Sequence, residues 1–278
     1  MTRLARPPLF ALLLAAALLL AATLPARAAQ RCADCVLAEG TYHVAAPPGW
    51  DGHTKLPLLV FLHGYGATGA DMLADDAVGP PAAKLGFLLV APDGRNHAWA
   101  ATGTPASAGP HRDDIAFLRA VLADVRRRWP VDPAMVVLGG FSLGGSMTWE
   151  MACHAPAGIT AFLPMSGGFW LPMPQGCAAP VALRHLHGRA DPTVPLAGRV
   201  MRERFHMADI AAGLAVFRAT DRCTAAPRRS VAAGEEDCTT WADCAGGGVV
   251  ALCLHPGGHE MRADWTAAAL RWALRQRR

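Results

Sequence analysis

The sequence predicts an α/β fold with a mostly parallel central sheet flanked by helices. From Thr41 onwards, apolar runs of strand length alternate with helix-like stretches, the order expected of strands joined by crossover helices. The chain has 278 residues, 52% of them hydrophobic, enough for a large core, and no repeats, low-complexity tracts or interdomain linkers interrupt the alternation. Strands are expected at Thr41–Val44, Leu58–His63, Phe87–Pro92, Met135–Gly140, Ala161–Met165, Val181–His187 and Val249–His255. Helices are expected over part of Gly69–Leu85, Asp114–Trp129, Gly145–Cys153, part of Arg199–Ala212, and Ala263–Gln276. In Asp114–Trp129, the residues Ile115, Leu118, Val121, Leu122 and Val125 recur at helical spacing; Asp113 can cap the start, and Trp129-Pro130 ends the run.

The first 28 residues have a different character. Arg3 and Arg6 precede an apolar run from Leu9 to Thr23, and Pro25 is followed by the small-residue pattern Ala26-Arg27-Ala28. This predicts a secretory signal at 1–28, cleaved after Ala28, and a single domain at 29–278. The apolar run is about 15 residues, short of the roughly 20 that a membrane span needs, and no later segment is long and apolar enough. The expectation is therefore a secreted protein, extracellular or periplasmic, with no stable membrane association after cleavage. Ala29-Gln30-Arg31 before Cys32 does not resemble a lipoprotein cleavage box. Cleavage removes Arg3, Arg6 and Arg27 but no acid, lowering the formal charge from +4 to +1, which gives no support to a nucleic-acid partner.

All eight cysteines, Cys32, Cys35, Cys153, Cys177, Cys223, Cys238, Cys244 and Cys253, follow the cleavage point, and an even number in an exported chain predicts disulfides. Their connectivity is open at this level. Four crowd into Cys223–Cys253, a glycine-rich stretch poor in apolar residues, which is expected to be loop-rich and stapled. Cys32-Ala33-Asp34-Cys35 lacks the strand–helix context in which a CxxC pair does redox chemistry.

The most specific local signal is Gly140-Phe141-Ser142-Leu143-Gly144. Between an apolar strand and a helix-like segment, GxSxG describes a sharp turn that exposes a serine hydroxyl above the strand end. Nucleophilic hydrolysis by Ser142 also needs a base, a group that orients the base, and donors for the oxyanion. Asp191, in Leu186-His187-Gly188-Arg189-Ala190-Asp191-Pro192, and His259, after Pro256-Gly257-Gly258, each follow an expected strand. The order Ser, Asp, His is that of α/β-hydrolases, whose sites lie at the carboxyl ends of the strands. Of eleven histidines, His259 is the best placed; His185, His187 and His255 fall within strands and His154 within a helix. His63-Gly64-Tyr65-Gly66 follows an early strand, so the main-chain N–H groups of Tyr65 and Leu143 are the expected oxyanion donors. Trp99, Phe169 and Trp170 are expected to line the substrate cleft, and the short stretch between Ser142 and Asp191 leaves room for only a minimal lid.

The chain resembles the secreted polyhydroxybutyrate depolymerase and feruloyl esterase group of α/β-hydrolases, the LpqC-like esterases. The matching pieces span nearly all of residues 29–278: Leu62-His63-Gly64-Tyr65-Gly66, Ala91-Pro92-Asp93-Gly94 with Trp99, Asp113–Leu118, the Ser142 turn, Ser166-Gly167-Gly168, His187–Pro195 and Gly257-Gly258-His259. The resemblance implies Ser142 as nucleophile, Asp191 as orienting acid and His259 as base, acting on short hydroxyalkanoate or plant cell-wall esters. Leu143 stands where many relatives have Asn, and Glu260-Met261-Arg262 where many have Trp-Pro, so substrate preference does not carry across. No polymer-binding module or Ser/Thr-rich linker is read in these residues, so soluble or amorphous esters are expected as substrates rather than crystalline polymer.

The expected partner is thus a small or polymeric ester. The rival classes are a non-catalytic binding protein on a hydrolase fold and a metal-dependent hydrolase using His185, His187, Asp191, His255 or His259, whose spacing closes no ligand set. No metal is expected. No nucleotide-binding fingerprint or phosphate loop occurs, so no cofactor is expected either.

Overall fold

The computed structural model describes residues 31–232 and 235–277; the expected signal at 1–28 lies outside the described residues. In chain order the elements are β1 (Asp34–Leu37), β2 (Gly40–Ala45), β3 (Leu56–Leu62), α1 (Gly69–Ala74), α2 (Gly79–Lys84), β4 (Leu88–Pro92), α3 (Asp114–Arg128), β5 (Val131–Phe141) and α4 (Leu143–His154). There follow β6 (Ala161–Met165), β7 (Ala182–Gly188), β8 (Arg199–Met201), β9 (Phe205–Met207), α5 (Ile210–Asp221), β10 (Arg228–Ala232), β11 (Glu236–Trp241), β12 (Val249–His255) and α6 (Ala263–Leu274).

Ten strands form one sheet in the order β1-β2-β4-β3-β5-β6-β7-β12-β11-β10. The six from β4 to β12 run parallel, and antiparallel pairs extend both edges. The central strands are buried on both faces, and alternate residues divide between two cores. Leu58, Val60 and Leu62 of β3 join the core beneath α3, α4 and α5, with Phe117, Val121, Trp149 and Phe217. Leu59 and Phe61 point to the opposite core, with Met72 of α1, Ala82 of α2, and Trp265 and Leu270 of α6. The side chain of Asp113 caps α3 by accepting the Ala116 N–H at 2.9 Å, as the local pattern predicts.

Three expectations need correction. The Arg199–Ala212 stretch is not helical at its start: Arg199–Met207 folds as the β8–β9 hairpin, and the helix runs over Ile210–Asp221 instead, capped by Asp209. The Cys223–Cys253 region is stapled but not loop-rich, since β10 and β11 extend the sheet beyond β12. Strand β1 is an addition to the expected strands, and it pairs β2 across the turn Ala38-Glu39. All eight cysteines are paired, as Cys32–Cys35, Cys153–Cys177, Cys223–Cys244 and Cys238–Cys253. The last joins directly opposed residues of β11 and β12, fixing that register covalently.

Candidate active site

Strand β5 ends at Phe141 and helix α4 begins at Leu143, so the whole reversal of the chain falls on Ser142. Its backbone has φ 55° and ψ −117°, a left-sided conformation that an L-residue holds only under constraint from its surroundings. That constraint is packing: a Cβ at Gly144 would run into the Leu62 and His63 carbonyls, so only glycine lets α4 approach β3 this closely. The Ser142 N–H donates to the Met165 carbonyl at 2.9 Å, tying the turn to the end of β6.

Two loops at the same end of the sheet bring up the partners. Asp191 follows β7 and is buried; its Oδ1 accepts the N–H groups of Thr193 (2.9 Å) and Val194 (2.8 Å), an Asx-type turn that fixes the carboxylate. His259 follows β12. The two loops are sewn together by main-chain bonds from Arg189 N–H to the His255 carbonyl (2.9 Å) and from Ala190 N–H to the Gly257 carbonyl (3.1 Å). A Cβ at Gly188 would strike the Gly257 and Gly258 carbonyls, so this approach requires glycine as well.

The result is a continuous relay. Ser142 Oγ lies 2.9 Å from His259 Nε2, and His259 Nδ1 lies 2.7 Å from Asp191 Oδ2. The carboxylate accepts the Nδ1 proton, which leaves Nε2 unprotonated and able to take the hydroxyl proton. The Phe141 ring packs against the imidazole with centroids 4.7 Å apart.

Behind Asp191 lies a second chain of side chains. Indole N–H is a donor only, so Trp149 Nε1 donates to His185 Nδ1 (3.2 Å). His185 then carries its proton on Nε2 and donates to His187 Nδ1 (2.8 Å), and His187 Nε2–H donates to the Val194 carbonyl (2.7 Å) while facing Asp191 Oδ2 at 3.5 Å. Burial pushes the pKa values of both histidines below the ordinary histidine range, favouring the neutral forms this chain requires. Both histidines, which the sequence places within a strand, are buried, and His187 supports the loop that holds Asp191.

Tyr65 and Leu143, the expected oxyanion donors, both border the cleft that contains Ser142. Leu143 is the first residue of α4, where a main-chain N–H has no intrahelical acceptor and the helix dipole is positive. The preceding His63 is locked: its Nε2 accepts the Gly94 N–H at 2.8 Å, so its Nδ1 carries the proton and donates to the Gly64 carbonyl at 2.7 Å.

Two of the expected cleft residues are elsewhere. Trp99 is fully buried; its Nε1 donates to the His63 carbonyl at 3.0 Å, so it braces the Tyr65 loop from behind. Phe169 is also in the core, stacked on Phe217 and edge-on to Trp149. Large aromatics beside a site are drawn into the core because that is where their area is buried. Trp170 does line the cleft. The cleft has a volume of about 240 Å³, and its further walls come from Pro105, Ala106, Ser146, Thr193 and Val194 and from Arg199, Met201, Arg202 and Met207 of the β8–β9 segment. Thr193 and Val194 fall within the His187–Pro195 piece, whereas no motif marks the others, and the four from the hairpin are revealed by its position over the site. A larger cavity of about 700 Å³, lined in part by Pro133, Thr160 and Ala182, lies at the opposite ends of the strands, away from this chemistry.

The comparisons with known proteins agree with this architecture. Residues 57–240 match the family model described as the alpha/beta hydrolase fold, and the chain belongs to that family. Feruloyl esterase C of Emericella nidulans is 31% identical over 167 residues, covering 57% of this chain and 57% of the relative, so the chain spans little more than half the length of that protein. Among solved structures, the feruloyl esterase module from Clostridium thermocellum, in complex with sinapinate, superposes with a TM-score of 0.57 at 16% identity over 86% of this chain and 85% of that one. Esterase PE8 superposes with a TM-score of 0.57 at 19% identity over 84% of this chain and 97% of that one.

Proposed function

We propose that the protein is an exported serine carboxylic-ester hydrolase working through Ser142, His259 and Asp191 on short hydroxyalkanoate or plant cell-wall esters. The observation that carries this reading is the aligned relay of 2.9 Å and 2.7 Å from Ser142 Oγ through His259 to Asp191. His259 Nε2 takes the Ser142 proton as Oγ bonds to the ester carbonyl carbon. The carbonyl oxygen becomes an oxyanion held by the main-chain N–H groups of Tyr65 and Leu143. The carbonyl re-forms, the ester C–O bond breaks, and His259 returns the proton to the departing alcohol. Water, deprotonated by His259, then attacks the acyl-enzyme, and the carboxylic acid leaves as Ser142 recovers its proton. Curated relatives named feruloyl esterases support the substrate class, and four disulfides support an oxidising, exported setting.

The test is hydrolysis by purified wild type and Ser142→Ala of short p-nitrophenyl esters, methyl ferulate, acetylated xylan, hydroxybutyrate oligomers and amorphous polymer, alongside labelling by a serine-directed phosphonate. Turnover that depends on Ser142 and concentrates on one ester class supports the reading and identifies the acyl group. A folded wild type that neither turns over nor is labelled overturns it in favour of a binding role.

A further inference from the structure

The cleft beside Ser142 has an unusual charge distribution. Its walls are mainly apolar, from Pro105, Ala106, Leu143, Trp170, Val194 and the two methionines of the hairpin, and among the described residues the charged ones lining it are Arg199 and Arg202, with no carboxylate. Most described arginine side chains in this protein are engaged by an acid, a main-chain carbonyl or an aromatic ring, as Arg112 is by Asp114, by the Glu39 and Asp93 carbonyls and by Phe117. Among the described residues, the arginine side chains without a hydrogen bond, ion pair or ring contact are Arg95, Arg199, Arg202, Arg229 and Arg271. Two of these stand on the Ser142 cleft, and Arg95 stands on the adjoining cavity that shares Tyr65, Pro105 and Ala106 with it.

The hairpin that carries Arg199 and Arg202 is held in place. Leu171 N–H donates to the His206 carbonyl (2.8 Å) and Ala208 N–H to the Phe169 carbonyl (2.9 Å), and Trp170 bridges Met207, so the hairpin is tied to the loop that follows β6. Its turn is strained. Arg202 and Glu203 have φ of 50° and 61°, a left-handed conformation that Gly or Asn adopts at far lower cost. A local rule broken at the mouth of a cleft points to a functional demand on that position. Arginine's fixed fork of donors suits a planar carboxylate, and both arginines stand exposed at the mouth of the cleft, open to an arriving substrate.

We propose that Arg199 and Arg202 form a carboxylate-binding subsite, so that the preferred substrate is an ester bearing a free carboxylate near the scissile bond. This inference rests on the esterase reading above. The carboxylate can belong to the acyl group, as in a half-ester of a dicarboxylic acid, or to the alcohol, as in a linear hydroxyacid oligomer, and two matched pairs of substrates separate these sources. The first pair is p-nitrophenyl adipate, with its distal acid free, against p-nitrophenyl hexanoate. The second is the hydroxybutyrate dimer acid against its terminal amide.

In low salt, kcat/KM of the wild type should favour the acid member of at least one pair by roughly three- to tenfold, mainly through KM. The pair that shows the preference identifies the source. Added salt should shrink the ratio. The double variant Arg199→Gln/Arg202→Gln should bring the ratio close to one, whereas Arg229→Gln, on β10 and outside the cleft, should keep it. Charge reversal, Arg199→Glu/Arg202→Glu, should reverse it, favouring p-nitrophenyl 6-aminohexanoate over the adipate. Equal turnover of acid and neutral members by the wild type, or a preference that survives the double Gln substitution, overturns the subsite while Ser142-dependent turnover leaves the esterase reading standing. No turnover of any ester and no phosphonate labelling overturns both.

Discussion

The parallel centre of the sheet and its β10–β11 wing are held by different forces. In β3 to β7 nearly every residue is buried, and apolar area fixes both register and facing. In the wing, β10 reads Arg-Arg-Ser-Val-Ala, Val231 is 81% exposed, and cross-links stand in for packing, with Cys223–Cys244 closing the segment and Cys238–Cys253 riveting β11 to β12. The proposed chemistry thus sits where burial supplies the rigidity. Ser142, Asp191 and His259 all stand at the ends of parallel strands, and the wing contributes none of them.

The sharpest way to break this division is to remove chemistry from the centre without touching its packing. Ser142→Ala and His259→Ala should each lower kcat by about a thousandfold or more, with melting temperatures near that of the wild type. Retention of turnover by either, measured by steady-state kinetics, would remove the triad. Next in size, replacing Cys223 and Cys244 by Ala should cost about 3 kcal/mol of stability in denaturant melts. Its kcat should remain close to that of the wild type; a large loss of kcat in a folded variant would show that the wing does shape the site.

A third test sits at the boundary between packing and chemistry. His187→Leu strands the Val194 carbonyl and His185 Nε2 without their partner, which should cost about 1 to 3 kcal/mol of stability. It also loosens the Asp191 loop, so kcat should fall by roughly ten- to hundredfold while KM changes little. His187→Gln, which keeps a donor, should recover part of kcat; an unchanged kcat in both variants would confine His187 to packing.

The smallest effect is a pH dependence at the root of the wing. Asp221 is buried, its Oδ1 accepts only the Val181 N–H (3.3 Å), and its Oδ2 has no hydrogen-bond partner. Desolvation lifts its pKa from the ordinary 3.8 to about 6. Between these values the folded chain holds a proton that the unfolded chain has released, so this residue makes stability fall as pH rises through the window, with the full penalty above about pH 6. Asp221→Asn should therefore stabilise the protein by about 1 to 2 kcal/mol at pH 8 and hardly at all at pH 4. A gain that is the same at both pH values would assign the effect to something other than ionisation.

The same division explains what could be read in advance. The parallel strands are legible because burial on both faces writes them as continuous apolar runs of strand length. The GxSxG turn and the strand-end positions of Asp191 and His259 are legible because sharp reversals need glycine and proline. The wing strands and the β8–β9 hairpin are not legible, since strands with a wet face and few apolar residues carry little periodicity, and cysteine spacing does not state partners. Trp99 and Phe169 illustrate the remaining limit: sequence places an aromatic residue near a site but not on which side of the wall its ring falls.

By itself, then, the sequence determined the α/β class, the strand-turn-helix around Ser142 and the order in which Ser142, Asp191 and His259 follow their strands, because these depend on local backbone geometry and on the apolar pattern. Tertiary structure alone decided the 2.9 Å and 2.7 Å contacts, the His185–His187 support, the disulfide partners and the arginines over the cleft. Each of those joins residues far apart in the chain or on separate elements, and their distances are set by how the helices and loops pack, which no local stretch of sequence encodes.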